Sequence, residues 1–108
     1  MAWIPVARLE DLPVGAGLSM AVEGRRVALF RTVDDRVYAI EDRCPHADLP
    51  IAEGELTGTI VTCPHHGYRL DVTTGASPRT RVFCVPHFAV RLDDEDVLID
   101  PTPLDPPP

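Results

Sequence analysis

Several features that mark other classes of protein are scarce or missing in this sequence of 108 residues. No apolar run approaches the ~20 residues that cross a bilayer, and the N-terminus lacks the basic and then apolar segments of a secretory signal. The cysteine count is only three, and this odd number argues against the disulfide framework of a small secreted domain. We therefore expect a chain without a membrane partner that works in the reducing cytoplasm.

Positive charge is also scarce. Ten basic residues, all of them arginine, stand against 17 acidic residues, and the formal net charge is −7. Nucleic-acid binding requires a basic stripe that neutralises phosphates, so this composition argues against nucleic acid as a partner. The acidic balance instead favours solubility and electrostatic docking onto basic protein surfaces.

The length and the placement of proline predict one domain followed by a short tail. A chain of 108 residues has the usual size of one domain with a single modest core. It is too short for a dinucleotide-binding domain joined to a second catalytic domain. Five of the nine residues from 100 to 108 are proline. We therefore expect a single domain over residues 1–100 and an extended, disordered tail over 101–108.

Long helices are not predicted, because no stretch of roughly ten residues keeps an uninterrupted 3.6-residue apolar period. Short runs rich in valine, isoleucine, threonine and aromatic residues recur instead, separated by glycine, proline and aspartate. This pattern is typical of an all-β domain. The predicted strands cover residues 3–7, 18–22, 27–32, 37–40, 59–62, 68–72, 82–85, 88–92 and 97–99.

The residues that can carry chemistry lie in two segments that do not resemble strands. The first reads Cys-Pro-His at 44–46, and the second reads Cys-Pro-His-His-Gly at 63–67. Each offers a thiol and an imidazole, and the proline after each cysteine stiffens the backbone by fixing φ. Because the whole chain has only three cysteines and four histidines, the coincidence of two such segments predicts a four-ligand metal site.

Two metal centres accept this set of ligands. Zinc binds two cysteines and two histidines tetrahedrally and would make the site structural. A [2Fe–2S] cluster accepts the same four ligands when the thiolates bind one iron and the imidazoles bind the other. Zinc fingers typically place both cysteines in one segment and both histidines in the other, whereas here each segment contributes one of each.

The mixed arrangement resembles the Rieske iron–sulfur signature: Cys-x-His, then sixteen residues (47–62), then Cys-x-x-His. The resemblance implies one [2Fe–2S] cluster, with Cys44 and Cys63 as ligands of one iron. By the same resemblance, His46 and His66 bind the other iron.

The resemblance extends beyond the ligands over about residues 3–100. Residues 53–56 (Glu-Gly-Glu-Leu) look like the family's segment after the first loop, and residues 71–75 look like its D-x-x-T-G turn. Ser77-Pro78 falls where the family places a proline-containing loop that covers the cluster. The implied fold is all-β, a Rieske-type antiparallel β-sandwich with a small cluster-binding subdomain of two ligand loops.

The ligands also predict the redox behaviour. Two ferric ions, two sulfides and two thiolates carry no net charge, whereas four thiolates would leave the oxidised cluster at −2. Histidine ligation therefore raises the reduction potential, into a range of about −150 to +300 mV. The chain lacks the loop cysteines of high-potential members, and Tyr68 and Leu70 stand where those members carry serine and tyrosine. We expect a potential of about −200 to −100 mV, at the bottom of that range.

No serine–histidine–aspartate set, glycine-rich phosphate loop or mononuclear iron triad is apparent, so the chain is not expected to be an enzyme by itself. The resemblance implies a soluble, monomeric carrier that takes single electrons from an NAD(P)H-dependent flavoprotein reductase to a terminal oxygenase, often one acting on aromatic rings. Two alternatives remain open. One is the small Rieske-type subunit of an NAD(P)H nitrite reductase, and the other is a zinc-stabilised β interaction domain.

Four further residues near these segments could be mistaken for functional groups. His65 is expected at the exposed rim, because the Cys-x-x-His spacing selects the next residue as the ligand. Cys84 lies in a strand pattern and is expected to be a small buried apolar residue. Asp42 and Arg43 precede the first ligand and are expected to be exposed charges without a role.

Overall fold

The computed structural model describes residues 3–44, 49–64, 67–79 and 84–104, and these residues confirm the all-β prediction. The only helical segment among them is a single 3₁₀ turn at Leu9–Asp11. No helix in these ranges is long and apolar enough to cross a membrane. The described ranges contain ten strands, which are β1 (Ile4–Arg8), β2 (Ala16–Val22), β3 (Arg25–Arg31), β4 (Val37–Glu41), β5 (Glu55–Thr57), β6 (Ile60–Thr62), β7 (Arg69–Asp71), β8 (His87–Phe88), β9 (Val90–Asp93) and β10 (Asp96–Ile99).

The strands form three sheets, and every strand pair in them is antiparallel. The central sheet has four strands in the order β2-β3-β4-β8. The outer sheet has three strands in the order β1-β10-β9, so the first and last parts of the domain pair with each other. The small sheet contains β5, β6 and β7 as consecutive hairpins.

The central sheet is buried on both faces, which divides the apolar interior into two cores. The sandwich core lies between the central and outer sheets and contains Leu12, Val22, Val27, Leu29, Val37, Ala39, Phe88, Val97 and Ile99. The loop-side core lies between the central and small sheets and contains Ala28, Phe30, Ile40, Cys44, Ile51, Ala52, Val61, Cys63, Leu70, Val72 and Val85.

Strand β3 is where the two cores meet. Val27 and Leu29 point into the sandwich core, and the residues that alternate with them, Ala28 and Phe30, point into the loop-side core. All four side chains are fully buried. A strand that is covered on both faces has a continuous apolar sequence instead of an alternating one, which explains this run.

Two parts of the predicted strand pattern differ from the structure. The predicted strand 88–92 is two strands, because the chain leaves the central sheet after Phe88 and joins the outer sheet at Val90. Strand β5 was not predicted, since a three-residue segment with one apolar side chain gives no periodic signal. Of the predicted strand 82–85, residues 82 and 83 lie outside the described residues, and Cys84 forms an isolated bridge with Ala76.

The first residues of the predicted tail are attached to the domain. The Leu104 N–H donates a hydrogen bond of 2.9 Å to the carbonyl oxygen of His87, and the Thr102 N–H donates one to the Asp100 side chain. Residues 105–108 lie outside the described residues. The boundary at residue 100 and the disorder of the tail therefore stay predictions.

His87 predicts how the stability of this fold changes with pH. Burial in the sheet lowers the pKa of this imidazole below 6.5, because the charged form loses hydration. The unfolded chain then binds more protons than the folded chain as the pH falls through about 6.5, so acid destabilises the fold. We expect His87→Gln to lose less unfolding free energy than the wild-type protein between about pH 7.5 and 5.5, measured by urea titration. An identical pH dependence in both proteins would contradict the role of burial at His87.

Candidate metal centre

The fold brings two of the predicted ligands, Cys44 and Cys63, into the same core. Cys44 follows the end of β4 in the central sheet, and Cys63 comes directly after β6 in the small sheet. Their exposed fractions are 0% and 2%, and both belong to the loop-side core. Because the two sheets pack face to face through this core, residues separated by nineteen positions (63 minus 44) converge on it.

The second ligand loop is the tip of the β6–β7 hairpin. The hairpin pairs Thr62 with Arg69, and the Cys63 N–H continues the ladder by donating to the Tyr68 carbonyl oxygen at 2.6 Å. The Gly67 N–H donates back to the Cys63 carbonyl at 3.1 Å. Both backbone polar groups of Cys63 are therefore held at the neck of the loop. Its two histidines, at positions 65 and 66, lie outside the described residues.

The first ligand loop is closed at its neck in the same way. The Cys44 N–H donates to the Leu49 carbonyl oxygen at 2.8 Å. In both loops the cysteine therefore bonds to the residue five positions later. Residues 45–48, which include His46, lie outside the described residues.

A buried carboxylate, Asp42, lies just before the first ligand loop, and here the sequence-based expectation of an exposed charge was wrong. Asp42 is only 4% exposed, and its Oδ1 accepts the backbone N–H groups of Ile51 and Ala52 at 2.8 and 2.9 Å. Its Oδ2 accepts the Ser19 hydroxyl at 2.5 Å. Arg43 is half-buried, and its guanidinium lies 3.3 Å from the Glu41 carboxylate.

The D-x-x-T-G turn after β7 is fixed by its own side chains. The Asp71 Oδ1 accepts the Thr73 N–H at 2.9 Å and the Thr73 hydroxyl at 2.7 Å, and the Gly75 N–H donates to the Asp71 carbonyl at 2.7 Å. Gly75 also accepts a hydrogen bond from the Val85 N–H at 2.8 Å. The turn thus ties β7 to the segment that leads into β8.

The environment of the two thiols is apolar on the side of the core. Leu70, which stands where high-potential Rieske proteins carry a hydroxyl, is fully buried in the same core. On the opposite side, a shallow groove on the outer face of the small sheet reaches Cys63 and Pro64. Glu55 and Arg69 give this groove charges of both signs.

The donor set fits the thiolate half of a [2Fe–2S] site. No disulfide joins the three cysteines. The sulfur atoms of Cys44 and Cys63 are therefore both available to bind iron as thiolates. Cys84 is half-buried instead of fully buried, and its backbone forms an isolated bridge with Ala76. No group of three metal-binding side chains converges within the described ranges, which exclude the two histidine candidates.

A protein-family model matches most of the chain. Residues 2–92 match the model of the Rieske [2Fe–2S] domain. The match covers both ligand loops, strands β1 to β8, most of β9 and the D-x-x-T-G turn. It therefore spans the residues that carry the resemblance in the sequence.

Two similar proteins of about the same length are ferredoxins. The chain is 33% identical to the ferredoxin component of the naphthalene 1,2-dioxygenase system of Pseudomonas aeruginosa, over 91% of this chain and 94% of that protein. Among solved structures, the ferredoxin of carbazole 1,9a-dioxygenase from Nocardioides aromaticivorans IC177 superposes with a TM-score of 0.85 and 31% identity. That match covers 94% of this chain and 100% of the other.

The similar solved structures also include proteins of the alternative class. A protein assigned as the small subunit of an NADPH nitrite reductase superposes with a TM-score of 0.84, over 92% of this chain and 98% of the other. The identity is 25%, which is lower than for the two ferredoxins. The fold is shared between the two classes, and the sequence is more similar to the two ferredoxins named above than to this subunit.

Proposed function

Because the chain belongs to the Rieske [2Fe–2S] domain family, we propose that it is the low-potential ferredoxin component of an oxygenase system. Its cofactor is one [2Fe–2S] cluster, which accepts and releases one electron at a time. The observation that carries the proposal is the pair of buried cysteines in one core of a chain that matches a ferredoxin component over 91% of its length.

The ligands in this proposal are Cys44 and Cys63 on one iron and His46 and His66 on the other. The two cysteine backbones are fixed at the loop necks, and their side chains are shielded from water by the loop-side core. Residues 45–48 and 65–66, which contain the imidazoles, are the parts of the loops beyond those necks. In this proposal the two thiolates bind the iron that faces the buried core, and the histidines of the two loops bind the other iron.

The potential proposed for this cluster is about −200 to −100 mV, near the low end of the Rieske range. Hydrogen bonds to cluster sulfurs stabilise the reduced form and raise the potential. At position 70 the side chain is leucine, which donates no hydrogen bond, and it is buried beside the cysteines. A low potential suits a carrier that accepts electrons from a reduced flavin and passes them on to an oxygenase.

The proposed partners are an NAD(P)H-dependent flavoprotein reductase and a terminal oxygenase. The named relatives belong to dioxygenase systems, and the net charge of −7 favours docking onto basic protein surfaces. We further propose a monomer in the cytoplasm. The absence of disulfides among the three cysteines fits a reducing compartment.

Electron transfer between purified components tests the proposal. The chain should contain iron and acid-labile sulfide in equal amounts, and its reduced form should give a rhombic paramagnetic signal. In catalytic amounts it should couple NADH oxidation by a dioxygenase reductase to oxygenase turnover. A colourless, zinc-containing protein would contradict the cluster. Coupling to a nitrite reductase catalytic subunit, with no transfer to any oxygenase, would instead favour the alternative.

A histidine substitution tests which imidazole binds iron. We expect His66→Cys to keep some cluster and to lower the reduction potential, because a charged thiolate replaces a neutral ligand. Four-cysteine plant-type clusters lie near −400 mV and low Rieske centres near −150 mV, so one of the two replacements predicts a decrease of roughly 100 mV. His65→Ala is the matched control and should change the potential little. The reverse result, a change in His65→Ala alone, would assign the ligand to His65.

A further inference from the structure

Asp42 is one of two carboxylates that are buried among the described residues, the other being Asp100. Both of its side-chain oxygens are used: Oδ1 accepts two backbone N–H groups, and Oδ2 accepts the Ser19 hydroxyl. Its backbone is fixed as well, because its N–H donates to the Arg26 carbonyl at 2.9 Å and its carbonyl accepts from the Arg26 guanidinium at 2.9 Å. A residue held at all these points does not behave as a surface charge.

These contacts tie together the two ends of the first ligand loop. Asp42 follows the last residue of β4, and the N–H groups that it accepts belong to residues 51 and 52, on the far side of the loop. The Cys44 to Leu49 hydrogen bond lies inside this tie. The loop is therefore closed twice, once by backbone alone and once by the carboxylate.

The described residues of the two loops differ in how they hold the loop necks. The second loop is flanked by β6 and β7, which pair through three residues on each side, so the sheet ladder itself holds its neck. The first loop is preceded by β4 but followed by no strand until β5 begins at Glu55. Residues 51 and 52 have no paired strand beside them at this point. The Asp42 carboxylate therefore accepts the N–H groups that the carbonyl groups of a neighbouring strand would otherwise accept.

We propose that Asp42 is the positioning residue of the first ligand loop. It replaces a paired strand by holding residues 51 and 52 against the end of β4, and it thereby fixes Cys44. Its negative charge, two residues from a thiolate ligand in a buried setting, also opposes the arrival of an electron on the cluster. This inference rests on the proposed function, because it takes Cys44 as a cluster ligand.

Two substitutions at this position separate anchoring from charge. The Asp42→Asn variant keeps a carbonyl oxygen that can accept the N–H groups of residues 51 and 52. The Ser19 hydroxyl can rotate to accept a hydrogen bond from the new amide group. The Asp42→Ala variant removes the acceptor of three donors, namely the Ser19 hydroxyl and the N–H groups of residues 51 and 52. A buried donor without a partner lowers the folding stability. Asp42→Asn should therefore keep its cluster with a more positive reduction potential. Asp42→Ala should lose most of its cluster and broaden the paramagnetic signal of what remains.

Asp100 provides the matched control. It is buried to a similar degree, and its Oδ1 also accepts a backbone N–H group, that of Thr102 at 2.9 Å. It follows the end of β10, in the outer sheet, and within the described residues its hydrogen bonds join it to Thr102 and Ala89, not to the ligand loops. Asp100→Asn and Asp100→Ala should lower the thermal midpoint without moving the reduction potential or the iron content per folded protein.

The experiment measures iron per folded chain, reduction potential and the paramagnetic spectrum for all four variants and for wild type. A positive shift in Asp42→Asn that is absent in Asp100→Asn supports the proposal, as does selective cluster loss at position 42. Wild-type potential in Asp42→Asn together with full cluster and an unchanged spectrum in Asp42→Ala would overturn it. If Asp42→Ala does not fold, the potential of Asp42→Asn decides alone. Failure of the proposed function would appear differently, as wild-type protein without a cluster.

Discussion

Replacing Cys44 or Cys63 with alanine is expected to reduce the iron content to less than about a tenth of the wild-type value. Even changes around a metal ligand typically cost roughly 10–100-fold in metal affinity, and removal of a ligand itself should cost more. Each cysteine is also buried at the neck of its loop, so neither position offers a water-exposed route for a substitute ligand. We expect colourless protein from both variants.

The third cysteine makes this prediction specific. Cys84 is half-buried and lies outside the Cys-x-His and Cys-x-x-His segments that predict the ligands, so Cys84→Ala should keep the full iron and sulfide content and the red-brown colour. Iron and sulfide assays on the three variants, purified side by side, are the measurement. Loss of the cluster in Cys84→Ala, or its retention in Cys63→Ala, would show that the thiolate ligands have been assigned to the wrong residues.

Gly75→Ala is expected to cost about 2–5 kcal/mol of folding free energy, from two effects that add. The glycine has φ +77°, a conformation that costs an L-residue roughly 1–2 kcal/mol. An added Cβ would also lie 2.2 Å from the Val85 carbonyl oxygen, so the backbone on one side must shift. Such overpacking typically costs about 1–3 kcal/mol.

Two other glycines isolate the two effects. Gly58 has φ +61° with nothing within 4 Å of an added Cβ, so Gly58→Ala should cost only about 1–2 kcal/mol. Gly54 lies outside the left-handed region, and an added Cβ there would be 2.2 Å from the Thr62 carbonyl oxygen, so it reports crowding alone. Urea titrations of the three variants give the comparison. A Gly75→Ala variant no less stable than Gly58→Ala would mean that the turn relaxes without cost.

Much of the fold was predictable because strand signals are local. The apolar and β-branched runs around β2, β3, β4, β6 and β10 gave strands close to the observed bounds. Where the chain changes sheets at Ala89, the sequence shows one uninterrupted run, and only the pairing partners separate β8 from β9. A change of partner leaves no mark on the local pattern, so it could not be predicted.

At the candidate site, the sequence predicted the metal-binding residues but not the hydrogen bonds that hold the loops around them. The spacing of cysteine and histidine predicted the ligand set, and the D-x-x-T-G turn was visible as residues 71–75. The burial of Asp42 was missed because its partners, Ser19 and the 51–52 backbone, are distant in sequence. An acidic residue beside a ligand is normally read as an exposed charge, and only its contacts distinguish the two cases.

The sequence by itself determined which donor atoms this protein offers and in what order, because ligand type and spacing are properties of the covalent chain. The tertiary structure alone decided that Cys44 and Cys63 share one core, since they come from different sheets that meet only when both faces of β3 are covered. It also decided that a carboxylate, instead of a strand, closes the first ligand loop. Hydrogen bonds between distant segments form only when packing brings those segments together, so no local pattern could have specified them.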